Sequence, residues 1–248
     1  MSRPSLEASI ASPESKRRYV RALFATIADR YDLITGLLSF GRDRRWKATL
    51  VDLADVQPGT RALDLAAGTG DIAFGLAARG ARVTALDITH RMLAIASRKR
   101  PASAAATFVT GDMMALPFPD ATFDLVTTGY GIRNVPAIEP AIAEIRRVLR
   151  PGGLLLSLDF DRPAHFLVRG LYLGYLTIAG SALGWALHRD PDTYRYIPAS
   201  IRRYPGAAGV AALLGGAGFA DSRVVPLLGG LMAINIARNE VRSPDGSL

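Results

Sequence analysis

Residues 60–87 read TRALDLAAGTGDIAFGLAARGARVTALD. An apolar run from Arg61 to Leu65 leads into a small-residue turn, Ala66 to Gly70. A helical stretch closed by Gly80 follows, and a second apolar run ends in Asp87. Short apolar runs bounded by turn residues read as buried strands. Strand, helix and strand joined by short links are the signature of a parallel, doubly wound sheet.

The alternation continues downstream. THRMLAIASRKR reads as a helix with Thr89 as its cap and Pro101 beyond its end. ATFVTGD and TFDLVTTG are the third and fourth strands. The helix IEPAIAEIRRVLR stops at Pro151-Gly152-Gly153, and LLLSLDF is the fifth strand. After an apolar segment, AAGVAALLGGAGF is one more helix, and DSRVVPLL and LMAINIAR close the sheet. Upstream, Val20, Leu23, Phe24 and Ile27 fall at helical spacing in RRYVRALFATIADRYDLI, and SFGRDRRWKATLVDLADV resumes helix after Gly41. The expected fold is α/β: one domain over 16–238, with a helical cover at 16–56 and an insert at 161–205. Residues 1–15 and 239–248 read as disordered tails.

Bulk properties bound the function. The chain has 248 residues, 49% of them hydrophobic, enough for a large core. It holds no cysteine, which excludes disulfides, thiolate metal sites and cysteine nucleophiles. The net charge is +8, and 27 of the 30 basic residues are arginine, which favours an anionic partner, either nucleic acid or a phospholipid surface. Residues 170–187, GLYLGYLTIAGSALGWAL, carry no charge and contain two Gly-x-x-x-Gly spacings. Inside a chain that otherwise reads as soluble α/β, this segment fits a cover over an apolar substrate or a helix lying on a membrane better than a span.

In a doubly wound sheet ligands bind beyond the carboxyl ends of the strands. There the first strand offers Gly68 and Gly70, whose backbone can approach a ligand at a helix N-terminus. Asp87 ends the second strand, spaced to bond ribose hydroxyls, and Gly111-Asp112 ends the third, where an acceptor can meet an adenine amino group. Gly68 to Ala73 also satisfies the dinucleotide fingerprint G-x-G-x-x-A, so NAD stays open. Asp64, inside the strand before the turn, tilts the reading towards S-adenosylmethionine, because a carboxylate there can anchor an amino-acid ammonium. The fourth strand leaves through GYGIRNV, Gly129 to Val135. Its two glycines allow close approach, and Arg133 and Asn134 are well placed to grip a polar ligand.

ADRYDLITGLLSFGRDRRWK, LDLAAGTGD, LPFPDATFDLVTTGYGIRNV, EIRRVLRPGG and DPDTYRYIPASIRRYP resemble the ubiquinone/menaquinone biosynthesis C-methyltransferases, from about Val20 to Arg238. The resemblance implies a Rossmann-like, seven-stranded class I methyltransferase sheet with helices on both faces. It also implies that S-adenosylmethionine methylates a ring carbon of a prenylated quinol. By motif match Thr69, Asp87, Asp112, Met113 and Gly129 would line the cofactor, and Tyr31, Arg133 and Asn134 would face the substrate. Departures stand at Ala66-Ala67, at Asp159 where many members have Glu, and at Asn235 where ubiquinone-type members usually have His.

A guanidinium near the ring oxygen stabilises a developing phenolate, which is the role expected of Arg133, with Asn134 orienting. Arginine is a poor base; Asp159, at the end of the fifth strand, is the acid nominated on topology, with His165 as runner-up. Tyr194, Tyr196, Arg202, Arg203 and Tyr204 could stack on single-stranded nucleic acid, but the resemblance makes them a substrate wall and nucleic acid is not expected. No metal is expected. The chain is expected in the cytoplasm at the inner face of a membrane, and a homodimer stays open.

Overall fold

The computed structural model describes residues 6–163 and 165–240. Seven strands form one sheet in the order β3-β2-β1-β4-β5-β7-β6. They are β1 (Arg61–Leu65), β2 (Arg82–Asp87), β3 (Ala106–Thr110), β4 (Phe123–Gly129), β5 (Leu149–Phe160), β6 (Phe219–Leu227) and β7 (Met232–Asn239). All pairings are parallel except those of β7, which runs antiparallel between β5 and β6. β6 is one of the two edge strands, which is why Pro226 is tolerated there.

Alternate residues of the central strands bury on opposite faces. Leu63, Leu65 and Val126 pack on one side with Ile142 and Ile145 of α7 (Ile138–Val148) and Val210 and Leu214 of α10 (Gly206–Gly216). Ala62, Leu125 and Leu156 pack on the other with Leu50 and Val51 of α4 (Asp43–Leu53) and Ile72 and Leu76 of α5 (Asp71–Ala78). Two apolar faces explain why the strands read as continuous hydrophobic runs. α6 (His90–Lys99) begins after Thr89, as expected, but the Thr89 side chain makes no capping bond. The Thr89 amide instead donates to Asp87 Oδ1 at 2.7 Å.

The cover is longer than the sequence suggested. α1 (Leu6–Ser9) and the start of α2 (Pro13–Ile27), up to Ser15, lie inside the expected tail. Ser12 and Ser15 form a capping box with Pro13 just inside α2. Ile10 is buried with Val20 and Tyr196, so this stretch has an anchor that its polar composition concealed. Asn239, assigned to the other tail, is buried in β7 and bonds the Leu149 carbonyl at 2.8 Å. Residues 1–5 and 241–248 lie outside the described residues. A 3-10 turn at Ala28–Arg30 breaks the expected long helix, and α3 (Tyr31–Leu38) follows.

The insert holds α8 (Phe166–His188) and α9 (Tyr196–Arg203). α8 is long and apolar enough to cross a membrane, yet it lies against α3 and α9 with one side on the domain. Its two glycine pairs differ. A side chain at Gly170 or Gly174 would meet nothing, whereas a Cβ at Gly184 would fall 2.5 Å from the Asp190 carbonyl. The second pair lets the chain fold back on the helix; the first packs no partner.

Candidate active site

Beyond the carboxyl ends of β1, β2 and β4, next to the point where strand order reverses, lies a cavity of about 690 Å³. Gly68, Asp87, Asp112, Met113 and Gly129 all line it. A narrower extension reaches Asp64 and Thr69. Gly70 lines neither; it sits at φ +93° at the start of α5, where a Cβ would strike Phe74 at 2.7 Å. Its role is to let the chain enter the helix.

The buried Asp87 carboxylate accepts from the Gly68 amide at 2.9 Å and the Thr89 amide, which ties the β1 turn to β2. Burial raises its pKa, against those bonds. Asp64 Oδ1 accepts from Thr127 at 2.8 Å, while its Oδ2 has no hydrogen-bond partner. Burial pushes this carboxyl up to about 7. Asp112 is paired with Arg17 of α2 at 3.2 Å, so the cover reaches across the cavity mouth. Thr69 donates to Asp32 at 2.6 Å.

A second cavity, about 800 Å³ and mostly apolar, lies under α8 and α9. Tyr31, Tyr130 and Asn134 border both cavities. Arg133 lines the second; its backbone N and its Nε each donate to Asp159 at 3.1 Å, its guanidinium also bonds Ser200, and it stacks over Phe160 at 4.9 Å. Asn134 donates to the Tyr130 carbonyl at 2.7 Å, and its Oδ1 is buried without a partner. Tyr31 packs edge-on against Phe24, and burial pushes its hydroxyl up to about 12.

The structure therefore gathers Arg133, Asn134 and Tyr31 but not Asp159 as expected. Asp159 lies behind Arg133, with its oxygens accepting from Arg133 and the Phe160 amide, and it lines neither cavity. It holds the guanidinium. His165 is exposed, stacked on Phe166. Asn235 is buried at a distance, donating to the Ala207 carbonyl at 2.8 Å, so this departure serves α10 packing. Tyr194 and Tyr196 are buried and line the second cavity rather than facing solvent.

Sequence reasoning missed several groups. Lys16 of α2 bonds the Arg133 and Val135 carbonyls, and burial lowers its pKa to about 8. Tyr130 sits at φ +61°, an unusual conformation for a bulky residue. Its hydroxyl donates to Asp43 at 2.7 Å. A tyrosine between two glycines was the available signal.

The model of the ubiE/COQ5 methyltransferase family matches residues 12–239. The chain is 41% identical over 219 residues to a demethylmenaquinone methyltransferase of Beutenbergia cavernae, covering 88% of this chain and 90% of that one. It is 41% identical over 211 residues to a ubiquinone/menaquinone biosynthesis C-methyltransferase of Paracoccus denitrificans, covering 83% and 84%. Among solved structures, a S-adenosylmethionine-dependent methyltransferase of Thermotoga maritima superposes with TM-score 0.65 at 19% identity, covering 89% and 100%. The magnesium protoporphyrin IX methyltransferase of Synechocystis, solved with S-adenosylhomocysteine, gives 0.60 at 19% identity, covering 91% and 100%. At such identities these structures speak for the fold.

Proposed function

The chain belongs to the ubiE/COQ5 methyltransferase family, and on that premise we propose that it transfers a methyl group from S-adenosylmethionine to a ring carbon of a demethylated prenylquinol in quinone biosynthesis. The observation that carries this reading is the pair of adjoining cavities, one at the strand ends lined by the Asp87 and Asp112 carboxylates and one between Arg133 and the apolar insert, meeting at Tyr31, Tyr130 and Asn134. Methylated substrates of relatives include both the menaquinone and the ubiquinone type.

The residues present suit the cofactor. Asp87 and Asp112 supply acceptors for ribose and adenine, and the partnerless Asp64 oxygen suits the ammonium of the methionine part. The sulfonium, when bound, supplies an already activated methyl group. The protein's task is to orient the ring and favour loss of its phenol proton. Arg133 offers positive charge to the developing phenolate, and Asn134 Oδ1 accepts a ring hydroxyl. Methyl-labelled cofactor incubated with the protein and demethylated quinones should label a ring only when the pool is reduced, and the product mass names the quinone. Absence of label with cofactor binding intact would overturn the reading.

An ammonium beside Asp64 favours its ionised form, so binding lowers a pKa that stands at about 7 in the free protein. Binding then releases a proton, and affinity rises with pH up to about 7 and levels above it. Calorimetry of S-adenosylhomocysteine at pH 6.5 in buffers of different ionisation enthalpy should register the release, and Asp64→Asn should abolish it.

A lipid surface as partner is supported by α8. Leu171, Ile178 and Trp185 recur every seventh residue on its outer side and are 77%, 74% and 69% exposed. Tyr172 and Leu176 of the same helix line the apolar cavity. Leu33, Leu37 and Phe40 extend the exposed patch beside it, with Phe40 stacked on Tyr175. Arg42, Arg44 and Arg189 are exposed at the adjoining segment ends. The helix thus separates a cavity suited to a prenylated ring from a face suited to an anionic bilayer. Ile178→Glu with Trp185→Glu should weaken sedimentation with phosphatidylglycerol vesicles by about tenfold or more, without changing turnover of a short-tailed quinol. Equal binding by both proteins would sink the lipid reading.

A further inference from the structure

Loss of a phenol proton needs an acceptor, and the expected one, Asp159, lies behind Arg133. Among the described residues, Arg133 and Asp43 are the charged side chains that line the apolar cavity. Asp43 opens α4 and is 4% exposed. It also lines a separate, solvent-open cleft with Lys47, Asp71 and Lys99. A single carboxylate therefore stands between the apolar cavity and water.

Its surroundings are built. The Tyr130 hydroxyl donates to Oδ1 at 2.7 Å, and Lys47 on the same helix meets Oδ2 at 2.7 Å. Lys47 is shared with Asp71 of α5 at 3.0 Å, and Lys99 of α6 bridges Asp71 at 3.3 Å to Asp32 of α3 at 2.8 Å. Within this cluster two ammonium groups face three carboxylates, so one negative charge is left over and a proton taken up there neutralises it. Arg44 also lines the cleft, exposed, and Tyr31 lies near from α3. Lys99 and Asp32 are partly exposed, which gives the cluster a solvent end. From the cavity side, Arg133 lies over Phe160, Phe160 packs on Tyr130 at 5.7 Å, and Tyr130 bonds Asp43. Cation and carboxylate thus stand at opposite ends of an aromatic wall. Both groups line the cavity that the quinol ring would occupy. Tyr130 holds its bond to Asp43 from a backbone conformation disfavoured for its size, a kind of strain that clusters at working sites.

We propose that Asp43 takes the proton of the substrate's ring hydroxyl as the methyl group is transferred. This rests on the quinol reading above. The O–H bond breaks and its proton passes to Asp43. The ring carbon bonds the methyl carbon, the methyl–sulfur bond breaks, and its electron pair stays on sulfur as a thioether. The ring C–H proton then leaves to water while Asp43 returns its proton to the oxygen, so one proton is released per methyl transferred.

The test uses the full chain, a short-tailed demethylated naphthoquinol kept reduced, and labelled cofactor. Asp43→Asn keeps an acceptor for Tyr130 and should bind S-adenosylhomocysteine as the unaltered chain does. Its kcat should fall by about 10²–10³ at neutral pH. The defect should shrink as pH rises towards the phenol's own ionisation, near 10. Asp43→His should retain turnover and move the acid limb of the pH–rate profile up to about 6.5. That shift is a readout no purely structural role would move, and it survives if the Asn variant is unstable. Unchanged kcat in Asp43→Asn, a defect equal at every pH, or an acid limb unmoved in Asp43→His would each overturn Asp43 alone. No methylation by the unaltered chain would overturn the quinol reading and the role of Asp43 with it.

Discussion

Arg133→Ala is expected to lose about 10²–10³ in turnover while keeping S-adenosylhomocysteine binding, because the guanidinium opposes the charge that develops on the ring oxygen and makes no contact with the cofactor cavity. The same change should cost stability. Arg133 and Asp159 are 6% and 3% exposed, and removing one partner leaves the other buried and uncompensated. Breaking such a pair costs about 3–5 kcal/mol. The two effects separate in the double variant Arg133→Ala, Asp159→Asn, which should recover much of the melting temperature and none of the turnover. Normal turnover in the single variant would remove Arg133 from the mechanism; recovery of both in the double would make its role structural.

Gly131→Ala should damage fold and cofactor site together. A Cβ there would lie 2.2 Å from Thr128 Oγ1, 2.9 Å from Ala66 Cβ and 3.1 Å from the end of Met113. Ala66 and Met113 line the cofactor cavity, so the loop can relieve the clash only by moving its wall. Overpacking of this kind costs about 1–3 kcal/mol, and S-adenosylhomocysteine affinity should drop by about tenfold. Thr128 Oγ1 is buried without a partner, so its removal sacrifices no hydrogen bond. Thr128→Ala added to Gly131→Ala should therefore restore part of the lost melting temperature. A single variant that melts and binds as the parent does would show that the loop yields freely.

Much of this was legible because it follows from periodicity. The strands were readable as apolar runs between turn residues, and the carboxyl ends of those runs indicated the cofactor cavity. Arg133 and Asn134 stood out because polar residues directly after a core strand have no packing reason to be there. Three things were not legible. Asp43 lies in GRDRRWK, a charged run that reads as a solvated surface, and only the fold turns its side chain inward against Tyr130. Asp159 was correctly assigned to a strand end, but the ion pair that occupies it depends on a loop separated from it by a helix. α1 and the start of α2 looked like a tail because Leu6 and Ile10 are sparse among polar residues; they pack on tyrosines of α2 and α9.

Tyr31 and Tyr130 line both cavities, so the partition between the two ligands is one side chain thick. In the proposed reaction no side chain stands ready to carry the methyl group across, and the chain has no cysteine. Donor and acceptor must then be resident together, and initial-rate plots should intersect rather than run parallel. A bisubstrate molecule, with a thioether nucleoside joined through a short linker to a naphthol, would thread between the two tyrosines and compete with both reactants at once.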